Sequence, residues 1–268
     1  MRRPIKKKHL YDVFLFWYNC TKGRFAMVLF LSSSPSGPLD KPNDDHVLDF
    51  KNGFVSNLKS FWKDDMKALM IAASPNDFDS NDEMTSFFYD CFNNSGLLLN
   101  DLCLWDDRYN EFNIHDFDLI VLAGGHLPTQ NEFFKKIQLK EKLVNYDGIV
   151  LGISAGTMNC ADIVYAQPEM EGESIDPNYK RFISGLNLTT INVLPHYQMV
   201  KDYYLDGKRL YEDIAYLDSY GKNFIVLNDG SYIIQKDDEV TIFGESYLLS
   251  NGIMNKVCND NENILYHF

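Results

Sequence analysis

Apolar runs of five to eight residues recur through the first half of the chain, separated by amphipathic stretches. Residues 26–32 form a compact apolar run that ends in serines, which predicts a first strand. Residues 67–73, 97–104 and 117–123 repeat the pattern, and 149–152 add a shorter run. Between them, apolar residues fall at helical spacing. Phe54, Val55, Leu58, Phe61 and Trp62 do so over 52–65, and Met84, Phe87, Phe88, Cys91 and Phe92 over 79–94. Phe133, Phe134, Ile137 and Leu143 line one side of a helix predicted over 129–144. Near-continuous apolar strands alternating with helices predict an α/β fold, a parallel sheet covered on both faces.

The second half is more mixed. Residues 158–164 read as a helix, 167–179 as an acidic loop, and 186–194 as a strand that ends at Pro195-His196. A helix is expected over 205–217. Strands over 223–228, 231–235 and 239–243 follow, joined by the tight turns Asn228-Asp229-Gly230 and Lys236-Asp237-Asp238.

Charge changes the picture at the N-terminus. The net charge is −13, yet seven basic side chains against Asp12 give residues 1–26 a net +6, leaving −19 for the rest. Residues 1–26 are therefore read as an extension outside the core, and 27–268 as one domain. An acidic body excludes nucleic acid as the main partner. No apolar run approaches a membrane span. Five scattered cysteines lack the spacing of a disulfide framework or zinc site, which fits the cytoplasm.

The candidate chemistry sits where strand meets helix. Gly152-Ile153-Ser154-Ala155-Gly156 puts a serine between small residues at such a turn. A sharp bend there exposes the hydroxyl, and the N–H groups of the following helix lie beside it. The competing reading is a turn in which Ser154 only caps the helix. Gly124-Gly125 follows another strand, so both turns belong on the rim outside the carboxyl ends of the sheet. His196, after a strand and a proline, is the base best placed to reach Ser154. Glu169, Glu171, Glu173 and Asp176 are the acids available to orient it. The Ala155 N–H and the Gly124-Gly125 turn are the candidate oxyanion donors.

Three motifs occur in order: Val121-Leu122-Ala123-Gly124-Gly125, Gly152-Ile153-Ser154-Ala155-Gly156 and Leu194-Pro195-His196-Tyr197. Together they resemble the peptidase E and cyanophycinase family of serine peptidases. The resemblance implies a flavodoxin-like, class I glutamine amidotransferase-like sheet with extra C-terminal strands. It implies Ser154 as nucleophile, His196 as base, Gly125 and Ala155 as the oxyanion hole, and Gly124 beside the substrate. It also implies an acid about fifteen residues after the serine, which selects Glu169 over Glu171 and Glu173. The family's basic position falls near Lys208-Arg209, and the guanidinium fork favours Arg209 for a substrate carboxylate. Departures begin at His126 and continue through Leu127-Pro128-Thr129-Gln130, where Gln130 is taken to reach the substrate.

The expected function is hydrolysis of small peptides, with N-terminal Asp-Xaa dipeptides as the specific case, without cofactor or metal. A homodimer is compatible with this. The alternative is a non-catalytic ligand-binding module on the same scaffold. An α/β-hydrolase esterase ranks lower, and an amidotransferase is disfavoured because Cys160 lies along the helix rather than at the bend.

Overall fold

Alternation along the strands decides which face each residue covers. In a computed structural model, which describes residues 27–39, 41 and 43–267, strand β1 is Val28–Ser32. Leu29 and Leu31 enter one hydrophobic core, while Val28 and Phe30 enter another on the opposite face. The same division holds in β2 (Met66–Ile71), β4 (Leu119–Leu122) and β5 (Ile149–Ile153). With β3 (Leu99–Trp105) these strands form the parallel half of an eight-stranded sheet. Helix α1 (Phe54–Lys59), α2 (Phe78–Asn94) and α3 (Leu127–Lys136) connect them. The residues 1–26 assigned to an extension lie outside the described residues.

Two sheets share the C-terminal half. Strand β6 (Asn192–Leu194) lies parallel to β7 (Asn223–Leu227). The chain then leaves β7 and enters β8 (Tyr232–Lys236), which pairs antiparallel with β1. Strand β9 (Glu239–Phe243) extends the large sheet, β10 (Ser246–Ser250) and β11 (Ile253–Cys258) return to the small one, and β12 (Asn263–Tyr266) closes the large edge. The orders are β12-β9-β8-β1-β5-β4-β2-β3 and β11-β10-β7-β6. The segment 228–230, which reads as a hairpin turn in sequence, is thus a crossing between sheets.

Three other expectations are corrected. The helix over 129–144 breaks at Gln138, whose backbone is left-handed (φ 54°), and resumes as Leu139–Lys142. The helix expected over 158–164 does not form; α4 is the single turn Ala155–Met158. Asn159 turns inward there and donates to the Leu127 carbonyl and Gln130 Oε1, while Ile163–Tyr165 pairs with Phe182–Ser184. Residues 204–209 form a short hairpin before a wide helical turn over Leu210–Ala215.

Parallel register brings the strand ends level. Ser32 pairs with Ile153, and Leu122 with Gly152. Ser33, Ser154 and the Gly124-Gly125 turn consequently emerge side by side on one rim. No helix among the described residues is long and apolar enough to cross a membrane.

Candidate active site

Ser154 occupies a backbone conformation that non-glycine residues rarely adopt, φ 51° and ψ −112°. Such a conformation costs about 1–3 kcal/mol and persists only where the surroundings enforce it. Here β1 enforces it. The Ser154 N–H and the Thr157 hydroxyl both donate to the Ser32 carbonyl, at 3.1 and 2.7 Å. The Ser32 hydroxyl donates to the Gly152 carbonyl at 2.7 Å. Two glycines make the bend possible: a Cβ on Gly152 would stand 2.7 Å from Thr157 Cα, and one on Gly156 would strike the Leu122 carbonyl.

The hydroxyl so presented meets His196. Ser154 Oγ lies 2.8 Å from His196 Nε2, and His196 Nδ1 lies 2.6 Å from Asp229 Oδ1. An ionised Asp229 can only accept, so the hydrogen of that pair sits on Nδ1. Nε2 is then free to accept from the Ser154 hydroxyl. Asp229 is almost wholly buried and belongs to the crossing between the two sheets. Its position follows from β6 and β7: Leu194 is in register with Val226, so the residues just beyond each strand stand abreast.

Further groups hold the acid. Ser33 Oγ donates to Asp229 Oδ1 at 2.7 Å and accepts from the His196 backbone N–H at 2.8 Å. Gln198 donates to Asp229 Oδ2 at 2.5 Å and accepts from the Asp229 N–H at 2.9 Å. Burial alone would raise the Asp229 carboxyl. The hydrogen bond and charge of His196, with the bonds from Ser33 and Gln198, outweigh it and hold the group below the usual carboxylate range.

Glu169 does not take this place. It lies on the exposed acidic loop, where its backbone N–H donates to Glu173 Oε2 at 2.8 Å. Glu173 in turn pairs with His126 at 3.0 Å, tying that loop to the glycine turn. The carboxylate at His196 comes from further along the chain, giving the order Ser154, His196, Asp229.

The glycine turn abuts Ser154. A Cβ on Gly124 would lie 3.4 Å from Ser154 Cβ, and one on Gly125 only 2.7 Å from Ala73 Cβ. The Ala155 N–H begins α4, a position with no intrahelical acceptor. Gln130 is fully buried, donates to the Ala123 carbonyl at 2.7 Å and accepts from Asn159. Its amide props the turn from behind and is not free for a substrate. Arg209 is committed to Asp213, at 2.9 and 3.1 Å, on an exposed surface. It does not line the cavity that opens at Ser154. Cys160 is buried, and burial pushes its thiol far up; its Sγ faces the Gly156 carbonyl, away from nucleophilic chemistry.

The model of peptidase family S51 matches residues 56–243, well over half the chain. The chain belongs to peptidase family S51. It is thereby a serine peptidase by family, and the fold agrees. A crystal structure of a peptidase from an acI-B1 Actinobacterium superposes with TM-score 0.64 at 14% identity, covering 91% of this chain and 98% of that one. A putative peptidase E protein from Listeria monocytogenes EGD-e gives TM-score 0.52 at 16% identity, covering 86% and 98%. No curated protein matches the sequence. Within this S51 peptidase, Asp229 is the site residue that sequence reasoning missed. An acidic residue just past a strand was the available signal, hidden because Asn-Asp-Gly is also a common hairpin turn.

Proposed function

We propose that Ser154, His196 and Asp229 act as nucleophile, base and orienting acid in the hydrolysis of small peptides. The observation that carries this is the unbroken line of contacts, Oγ to Nε2 at 2.8 Å and Nδ1 to Oδ1 at 2.6 Å. Nε2 takes the hydroxyl proton as Oγ bonds to the scissile carbonyl carbon. The carbonyl electron pair moves onto oxygen, where the N–H groups of Gly125 and Ala155 stabilise it. The imidazolium gives its proton to the amine as the C–N bond breaks, leaving an acyl-enzyme. Water, giving a proton to His196, then attacks the ester; the C–Oγ bond breaks and the proton returns to Ser154. Asp229 stays ionised and steadies the imidazolium throughout. No step calls on a metal or organic cofactor.

Among the described residues Cys91, Cys103, Cys160 and Cys258 are free thiols, which supports a cytoplasmic setting. The narrower expectation of Asp-Xaa dipeptides needs a cation near Ser154, and Arg209, the residue chosen for it, is bound to Asp213. That expectation has no support at the cavity.

A fluorophosphonate probe tests the hydrolase reading. Labelling is expected in the native protein, absent in Ser154→Ala and strongly slowed in His196→Ala. A folded native protein that resists the probe and cleaves no peptide would leave the ligand-binding alternative in its place.

A further inference from the structure

A cavity of about 490 Å³ opens directly onto Ser154, His196 and the Gly124-Gly125 turn. Its other walls are mostly apolar: Leu39, Met84, Phe87 and Phe88, with Ile153 beside the nucleophile. Phe88 is buried in the core under the sheet, and Met84 and Phe87 pack against that core from α2, so the wall is fixed rather than draped. Ser80 and Glu83 stand exposed at its edge. None of the described residues lining the cavity is lysine or arginine. Arg108, which reaches α2 from the β3 side, is tied to Asp82 and Asp106.

We infer that this cavity receives the side chain of the residue that supplies the scissile carbonyl, and that it selects an apolar side chain over an acidic one. The inference rests on the peptidase reading for the place of the scissile bond. The Cα of that residue is bonded to the carbon that Ser154 attacks, so its side chain enters the cavity containing Ser154. An aspartate there would lose its hydration against four apolar side chains, gain no cation and face Glu83. A leucine or phenylalanine exchanges water for those same walls. A single methylene in an apolar pocket is worth roughly 10- to 200-fold.

Two measurements separate this inference from the peptidase reading. Cleavage of Phe-Leu, Leu-Leu, Asp-Leu and Lys-Leu by the native protein is expected to favour the first two by about tenfold or more in kcat/KM. Calorimetry of the same dipeptides on Ser154→Ala, which needs no turnover, is expected to give the same order. Placing a cation at the cavity edge with Ser80→Arg, an exposed position, is expected to narrow the gap between Asp-Leu and Leu-Leu. Asp-Leu cleaved or bound as well as Leu-Leu overturns the pocket assignment while probe labelling keeps the peptidase. Apolar preference in binding with an unreactive Ser154 keeps the pocket and removes the peptidase. Neither preference nor reactivity removes both.

Discussion

His196 and Asp229 meet at 2.6 Å although they arrive on different strands, one from the end of β6 and the other from the chain's passage between two sheets. On the proposed reading this contact makes Asp229 the orienting acid, in place of the acids of the 167–179 loop. Replacing the acid of such an arrangement leaves the imidazole in the wrong tautomer, at a cost of about 10⁴ in kcat. Asp229→Asn is therefore expected to lose about three to four orders of magnitude in kcat, and Glu169→Gln less than twofold. Steady-state kinetics on the two variants checks this; the reverse ranking would return the role to Glu169.

Ser33 touches both the acid and the backbone of the base. On the proposed reading it acts as a positioning residue. Ser33→Ala removes one of the two donors to Asp229 Oδ1 and leaves the His196 N–H without its acceptor, a loss of about 1–3 kcal/mol in the alignment of the pair. A kcat reduced about tenfold or more, with KM nearly unchanged and an altered pH–rate profile, is expected. A rise in KM alone would show that Ser33 acts on binding.

The depressed carboxyl of Asp229 makes a directional statement about acid stability. Its folded value lies below the unfolded one, which is about 3.9. Its contribution is thus fully present above that value and is lost as pH falls through the folded one. The melting-temperature gap between the native protein and Asp229→Asn is expected to be open at pH 5 and to narrow below about pH 4. A gap that widens on acidification would reverse the sign and refute the assigned shift.

Gly125 and Gln130 adjoin the same turn in different ways. A Cβ at 125 would press on Ala73, so Gly125→Ala is expected to cost about 1–3 kcal/mol and to move the N–H proposed as an oxyanion donor. Gln130→Ala leaves the buried Ala123 carbonyl without its side-chain donor and the Asn159 amide with only the Leu127 carbonyl as acceptor. It is expected to lower the melting temperature by several degrees, through about 1–3 kcal/mol, without changing the preference among dipeptides. Thermal melts read beside a dipeptide panel distinguish the two. A changed substrate preference in Gln130→Ala would restore it to the binding site.

Much of this was legible because it depends on local pattern. The apolar runs that became β1, β2, β4 and β5 are buried on both faces, and a strand of that kind has no competing reading beside an amphipathic helix. The nucleophile turn and His196 were legible for a related reason, since each stands where a strand runs out. Asp229 was not, because sequence proximity cannot tell a hairpin from a chain that changes sheets. The helix expected after Met158 failed when the buried amide of Asn159 found partners on α3. Arg209 and Gln130 failed for one physical reason: each already has protein partners that satisfy it.

The parallel strands that carry Ser154 are complete by residue 153, yet both groups that arm the hydroxyl come from beyond residue 190. During synthesis the serine-bearing layer therefore emerges unarmed. On the proposed reading, His196 and Asp229 reach the serine only once β6, β7 and the crossing at 228–230 are in place. The wiring of the chain makes a finished fold the precondition for the proposed chemistry.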